Sequence, residues 1–314
     1  MFRIPAMLVA LCLAAPPLTP ALAQSPITIV VNFGAGAAND VAARLIAQEW
    51  TQSLGQPVIV KNTTGASGTL GALEVVRARP DGLTLLLSTI GPIAIQPHFM
   101  RNAGYAPRDL SPICQVSDAA LVLQTPQNSG LRTLADVAAR ARAARGDMPY
   151  GSSGPGTLTH LAMVAWLRPA GLAMTHVPFR SPGDVMLAFA QGSILVFADQ
   201  PAAIRPNNLH PIAVFAAERL PDFPEAPTMR EQGHDIQMSI WQGFFAPAAT
   251  PAPVLARFEA ACAQVTQAAS VRTGMERIQT PVVFRNARDF SAMVAADSER
   301  MRAMIEEGGL RQVE

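Results

Sequence analysis

Ile27-Thr28-Ile29-Val30-Val31 is an apolar run of strand length. It feeds at once into Asn32-Phe33-Gly34-Ala35-Gly36-Ala37-Ala38-Asn39-Asp40, a turn built almost wholly of small residues. A helical stripe follows, with Val41, Ala42, Leu45, Ile46 and Trp50 on one face. Strand, small-residue turn and helix in this order open a βαβ unit, which requires a sheet with parallel strands and helices on its faces. The turn also leaves backbone N–H groups unobstructed at a helix N-terminus, where they can hold a small anion.

The alternation continues. Val58-Ile59-Val60 reads as strand, Gly68 to Arg77 as helix and Leu83-Thr84-Leu85-Leu86-Leu87 as strand. This predicts an α/β fold of mostly parallel sheets covered on both faces. The pattern resets after about residue 125. Thr133 with Asp136, Ser181-Pro182 and Thr250-Pro251 mark helix starts. Strands are expected at Pro149 to Gly151, Met174 to Val177 and Ile194 to Ala198, and helices at Pro251 to Ala268 and Asn286 to Glu307. Extended segments near Ala120 to Pro126 and Gly243 to Pro247 suit crossings between two units. The expected division is residues 24–122 with 246–314 as one lobe and 123–245 as an inserted second lobe. Two crossover strands then form a hinge, and a cleft between hinged lobes is a common ligand site.

The first 23 residues read as a signal peptide. Arg3 is the positive region, Ala6 to Ala15 is apolar, and Ala21-Leu22-Ala23 has the form of a cleavage site. Pro16 and Pro17 interrupt a run already too short for the roughly 20 residues of a spanning helix. Periplasmic export follows, with the mature chain starting near Gln24. Without Arg3 the basic and acidic residues balance at 23 each, which argues against nucleic-acid binding. Two cysteines remain. Export permits a disulfide, but Cys262 falls on the stripe Val254, Phe258, Cys262, Val265, and two buried thiols are the preferred reading for Cys114 and Cys262. Neither has metal-site spacing, and no metal or other cofactor is expected.

The first turn is only part of a nucleotide fingerprint: Gly34-Ala35-Gly36 is followed by Asn39 where the last glycine belongs. A plain tight turn is one alternative, and a small-anion site is the preferred one. A second such turn is Tyr150-Gly151-Ser152-Ser153-Gly154-Pro155-Gly156-Thr157-Leu158-Thr159-His160. Ser152, Ser153 and Thr157 offer hydroxyl donors to a carboxylate, as do the backbone N–H groups around Gly154. Two turns, one per lobe, could hold the two ends of one anion. Ser152 or Ser153, with His160 and Asp199, could alternatively be a hydrolytic triad, although Gly-x-Ser-x-Gly is absent. Arg180 could meet a ligand carboxylate or lie in solvent. Phe179 could wall the cleft or pack between strand and helix. Asp199 ends an apolar strand and needs a partner, which could be a ligand amine, a hinge N–H or a helix cap.

The chain resembles the periplasmic substrate-binding receptors of tripartite tricarboxylate transporters, the Bug-type (TctC-like) receptors. The matching residues run in order from Ile29-Val30-Val31-Asn32-Phe33-Gly34-Ala35-Gly36 with Asp40, through Leu54-Gly55-Gln56-Pro57-Val58 and Pro80-Asp81-Gly82-Leu83. They continue with Tyr150-Gly151-Ser152-Ser153-Gly154, His176-Val177-Pro178-Phe179-Arg180 and Gly243-Phe244-Phe245-Ala246-Pro247. The resemblance implies a two-lobed Venus-flytrap receptor, without catalysis, that closes on a small carboxylate and passes it to a membrane permease. A receptor feeding a sensor kinase is the alternative, and a monomer is expected. Carried over by position, the ligand contacts are Phe33, Gly34, Ala35, Gly36, Ala37, Ala38, Asn39 and Asp40, with Ser88 and Thr89 after a strand. Ser152, Ser153, Gly154, Thr157, His160, Phe179, Arg180 and Asp199 complete the set. Asn32, Gly34, Ala37 and Asn39 replace the usual Pro, Pro, Gly and Thr of the first turn, and Val164 stands where a glutamate is usual.

Overall fold

A computed structural model describes residues 25–179 and 182–312. The signal segment, its cleavage site and Arg180 lie outside the described residues. The chain begins β1 (Ile27–Val31), α1 (Ala38–Ser53), β2 (Val58–Asn62), α2 (Thr69–Val76), β3 (Thr84–Thr89), α3 (Gln96–Phe99) and β4 (Leu110–Ala120). One residue later β5 (Val122–Pro126) starts, followed by α4 (Leu134–Ala144), β6 (Pro149–Ser152), α5 (Leu158–Leu167), β7 (Thr175–Pro178), α6 (Pro182–Ala190), β8 (Val196–Asp199) and β9 (Leu209–Val214). The return is β10 (Ser239–Pro247), α7 (Ala252–Val265), α8 (Ala269–Arg277), β11 (Val282–Arg285) and α9 (Ala287–Gly308). The expected helix starts have their physical cause in view. Thr133 accepts the Asp136 N–H while Asp136 accepts the Thr133 N–H, a capping box on α4. Asn286 likewise caps α9 through Asp289 N–H.

The strands form two sheets, in the orders β11-β4-β10-β3-β1-β2 and β7-β6-β8-β5-β9. Both are mixed, which corrects the expectation of mostly parallel sheets. β1 is parallel to β2 and β3, but β10 is antiparallel to β3 and β4, and β11 to β4. In the second sheet β6 is parallel to β7 and β8, while β5 is antiparallel to β8 and β9. The reason is the crossing chain: the returning strand β10 enters the first sheet against β3, and β5, directly after the crossing, lies against β8 in the second. The sequence places residues 239–245 in the inserted unit, whereas the structure pairs Ser239 to Phe245 with β4 in the first sheet.

Helices α1, α7 and α8 bury one face of the first sheet around Ile29, Val31, Trp50, Phe244 and Phe258. The other face joins α9 residues Phe290, Val294 and Met301 to Trp241 and Phe245, and the same apolar cluster runs on to Leu161, Trp166 and Phe215 of the second unit. A smaller core under α6 holds Val185, Phe189, Phe197 and Val214. The two sheets are therefore joined by a packed seam as well as by the chain. Leu121, fully buried between β4 and β5, anchors that seam by accepting Phe215 N–H and donating to Met238 O, each at 2.9 Å.

Cys114 on β4 and Cys262 on α7 form a disulfide across a separation of 148 residues, which corrects the preference for two free thiols. The stripe reading of Cys262 is right in itself, since Phe258, Cys262 and Val265 are buried. What spacing along the chain cannot reveal is that α7 lies over β4, bringing the two Cα atoms to 6.5 Å.

Candidate functional site

Both small-residue turns sit at carboxyl edges of parallel strands, the place where open α/β sheets take ligands. In the first sheet Val31 is level with Leu87, so the chain leaves β1 beside the end of β3. The Asn32 amide donates to the Ser88 hydroxyl at 2.8 Å, and both side chains are buried. Helix α1 then begins at Ala38 with Ala37 as N-cap and no side-chain cap. The N–H groups of Ala38, Asn39 and Asp40 thus have no intrahelical acceptor. Asn39 is buried, and its Nδ2 has no hydrogen-bond partner.

The Asp40 side chain is bonded within the turn. Its carboxylate accepts Gly36 N–H at 2.9 Å, Asn62 Nδ2 at 2.9 Å and Arg44 Nε at 3.0 Å. Hydrogen bonding from Arg44 holds the carboxyl down at about 2, with Gly36 and Asn62 adding to it against the cost of burial. Asn62 also ties Phe33 O at 3.0 Å. Ala37 N–H bonds back to Gly34 O at 3.2 Å. The Asp40 carboxylate and the Gly36 and Ala37 N–H groups are spent inside the turn, while the N–H groups of the helix start stay open. Gly34, Ala35 and Gly36 are exposed, and Gly36 has φ +83°, a conformation that glycine adopts freely. Thr89 pairs in register with Gln242 on β10, and Gln242 with Ser117 on β4. Gln242 Oε1 and Ser117 Oγ are buried without partners at this edge.

The second turn is more tightly knit. Ser152 Oγ lies 2.6 Å from His176 Nε2 and accepts Gly154 N–H at 3.0 Å. Ser153 N–H reaches Thr159 Oγ1 at 2.9 Å, and Thr157 Oγ1 donates to Gly154 O at 2.7 Å. Phe179 N–H caps Ser152 O at 2.9 Å, and its ring packs over Gly151. His160 Nδ1 accepts Gly156 N–H at 3.3 Å, and its ring stacks on His176 with centroids 4.0 Å apart. Tyr150 continues the stack at 5.2 Å from His176. Burial, helped by the His176 ring, pushes His160 down to about 4, and an acceptor Nδ1 requires the neutral form.

This arrangement does not assemble Ser152, His160 and Asp199 as a triad. The Ser152 hydroxyl faces His176 and not His160, and among the described residues no hydrogen bond joins Asp199 to either ring. Asp199 sits instead at the end of β8, paired with Val122 and following Phe197, which is level with Gly151. The β6–β8 register, continued, brings it level with Ser153. The backbone N–H of Gln200 is its one donor among the described residues, and burial pushes its carboxyl up to about 6.

The first sheet reaches the second turn through α3. Gln96 Nε2 donates to Gly156 O at 3.1 Å, and the Phe99 ring lies against Gly156. The sequence reading missed His176, Gln96 and the buried amides Gln124 and Gln242. A polar side chain inside an apolar run, as in Leu121-Val122-Leu123-Gln124, is a signal for the amides. Nothing local marks His176, whose role depends on β7 lying beside β6. Among the described residues no group of His, Cys, Asp or Glu is arranged to hold a metal ion.

Comparison with known proteins gives the family and the fold. A family model, the tripartite tricarboxylate transporter family receptor, matches residues 42–310. A UPF0065 protein of Agrobacterium vitis is 31% identical over 298 residues, covering 91% of this chain and 85% of that protein. Among solved structures, MatC of Rhodopseudomonas palustris with bound malate has a TM-score of 0.77 at 27% identity, covering 89% of this chain and 98% of that one. An R. palustris protein with adipate has a TM-score of 0.80 at 25% identity, covering 92% and 99%. With two α/β lobes of the periplasmic-binding-protein kind and a family match across most of its length, the chain belongs to the tripartite tricarboxylate transporter receptor family.

Proposed function

We propose that the protein is a periplasmic receptor that captures a small carboxylate between its two sheets and delivers it to the permease of a tripartite tricarboxylate transporter. The observation that carries this reading is the pair of strand–turn–helix corners, one in each sheet, at carboxyl strand edges. The open N–H groups at the start of α1 and the unpartnered Asn39 amide suit one carboxylate end. Ser153 and the start of α5 face the other part of the ligand. The malate and adipate held by two structural neighbours are ligands of this class. The units around the two sheets act as lobes, hinged at Leu121 and between β9 and β10, and ligand contacts to both lobes favour the closed form. Export follows cleavage near Ala23. The Cys114–Cys262 disulfide suits an oxidising compartment, and no helix among the described residues is long and apolar enough to cross a membrane.

The test is a thermal-shift screen of the mature protein against carboxylates, confirmed by calorimetry. A ligand at about 100 times its Kd adds roughly 2.7 kcal/mol of stability, a shift of a few degrees. A carboxylate hit whose affinity falls on Asn39→Ala supports the site. Binding that ignores changes in both turns places the site elsewhere, and no carboxylate hit at all overturns the reading.

A further inference from the structure

We infer that Gln96 is a positioning residue of the capture site: its bond to the second turn fixes the separation of the two corners, and with it the length of acid that can touch both. This rests on the carboxylate-receptor reading above and adds a size limit to it.

The first ground is a bonded path from one corner to the other. The Asn32 amide of the first turn donates to Ser88 Oγ at 2.8 Å. From Ser88 the chain runs through Thr89, the end of β3, into a π-helical turn, Gly91–Ile95, and then into α3. Gln96 opens α3, and its Nε2 donates to Gly156 O of the second turn at 3.1 Å. Gly156 N–H is held from its own side by His160 Nδ1 at 3.3 Å. The residue directly before the N-cap of α5 is thus bonded through its carbonyl to one unit and through its amide to the other. The open N–H groups at the start of α5 take their place relative to the first unit from this bond.

The second ground is the setting of the contact. Gln96 is 3% exposed and Gly156 is buried. Around them Ile95 and Phe99 of the first unit share one apolar cluster with Leu158 and Leu161 of α5. Helix α3 is itself anchored in the first unit: Phe99 O accepts Gln312 N–H at 2.9 Å, and His98 Nε2 lies 2.7 Å from Ser298 Oγ on α9. Parting the units here breaks a buried hydrogen bond and exposes apolar surface together. Such a contact stays made while the lobes swing, so it belongs to the axis of closure, as Leu121 does.

The third ground is the kind of side chain. A buried carbonyl needs a donor, and the glutamine amide supplies one without bringing a charge into the seam. Its reach from α3 is fixed, so the gap between the corners is fixed as well. An acid held by both corners must match that gap, and one methylene too many or too few changes affinity by about tenfold or more.

The experiment is calorimetry on the purified mature protein with the best-binding carboxylate of the screen and its homologues one and two methylenes longer and shorter. Wild type is expected to prefer one length over each neighbour by about tenfold. Gln96→Met keeps the length of the side chain and removes the donor, and is expected to flatten that preference to about threefold or less. Gln96→Asn, whose amide stops one methylene short of Gly156, carries the same expectation and stands in should Gln96→Met not fold. A merely structural role weakens every acid by the same factor. Unchanged ratios in the variant, or a wild type without a length preference, overturn the inference and leave the carboxylate reading standing.

A second measurement needs no ligand. Spin labels on Gln52→Cys of α1 and Arg140→Cys of α4, both exposed positions, report the separation of the units by pulsed electron resonance. One narrow distance distribution is expected with Gln96 in place and a broader one in the variant, and identical distributions overturn the inference. If no acid binds, the carboxylate reading falls, and the label distances alone decide whether Gln96 ties the units.

Discussion

Asp40 closes the turn that precedes it: its carboxylate accepts the Gly36 N–H at 2.9 Å while Arg44, one helical turn further on, holds the same group. The acid of the first turn is thus a brace. It shapes the backbone of Phe33 to Ala37 and leaves the start of α1 open, with no negative charge unpaired beside it.

The brace sets a pH dependence. The folded pKa of Asp40, at about 2, lies below its ordinary value of 3.8, so its stabilisation is present above that ordinary value and is lost as pH falls through 2. Asp40→Asn is expected to unfold about 2 kcal/mol more easily than wild type at pH 7. Urea titrations at several pH values should show the gap closing between about pH 4 and pH 2. A gap that persists unchanged at pH 2 would mean that the ion pair is not its source.

Two groups at the second turn titrate in opposition. His160 has a folded pKa of about 4, below its ordinary 6.5, so acid destabilises the fold progressively from pH 6.5 downward, with the full cost reached below pH 4. Asp199 has a folded pKa of about 6, above its ordinary 3.8, so its charge costs stability above pH 6, and that cost is relieved between pH 6 and pH 4. Asp199→Asn is therefore expected to raise the melting temperature of ligand-free protein at pH 8 by roughly 2–5 °C. The same variant should lose stability more steeply than wild type from pH 6 to pH 4. Equal slopes for the two proteins would rule out this opposition.

Gly156 is where the first sheet's α3 meets the second turn. A Cβ there would sit 2.4 to 2.5 Å from the Phe99 ring, on a backbone with φ +66°. Gly156→Ala is expected to cost about 2 kcal/mol or more, from overpacking and from the left-handed backbone together. Phe99→Ala should remove the clash but not the backbone strain. A double-mutant cycle showing that Phe99→Ala rescues part of the loss would confirm the contact, and simple additivity would refute it.

The disulfide should matter to stability more than to ligand capture, because Cys114 and Cys262 both lie in the core of the first unit. Replacing both with Ser is expected to cost about 2–4 kcal/mol. Denaturant unfolding of wild type with and without reductant provides the comparison. An unchanged midpoint in reductant would show that the bridge does not contribute.

Much of the fold was legible because its signals are local. Thr133 with Asp136 is a capping box in sequence and in space. Apolar runs at Ile27, Leu83 and Val196 became β1, β3 and β8. Strands β4, β9 and β11 were less legible, since they are defined by the neighbours they pair with more than by their own pattern. The candidate site divided in the same way. Small residues marked the first turn and glycines with hydroxyls the second, but which N–H groups remain open depends on how each turn bonds to itself. Gly36 N–H looked free and is held by Asp40, and Ser88 accepts the Asn32 amide from within the first unit.

The order of residues alone determined an α/β chain with two small-residue corners, each joining a strand to a helix, because periodicity and turn chemistry act over a few residues. Tertiary structure alone decided that β10 returns to the first sheet, that Cys114 meets Cys262, and that His176 takes Ser152 from His160. It also decided that Asp40 is braced by Gly36, Asn62 and Arg44. Each of these depends on distances between segments far apart in the chain. Such distances follow from how helices and strands stack into a common core, which no local pattern records.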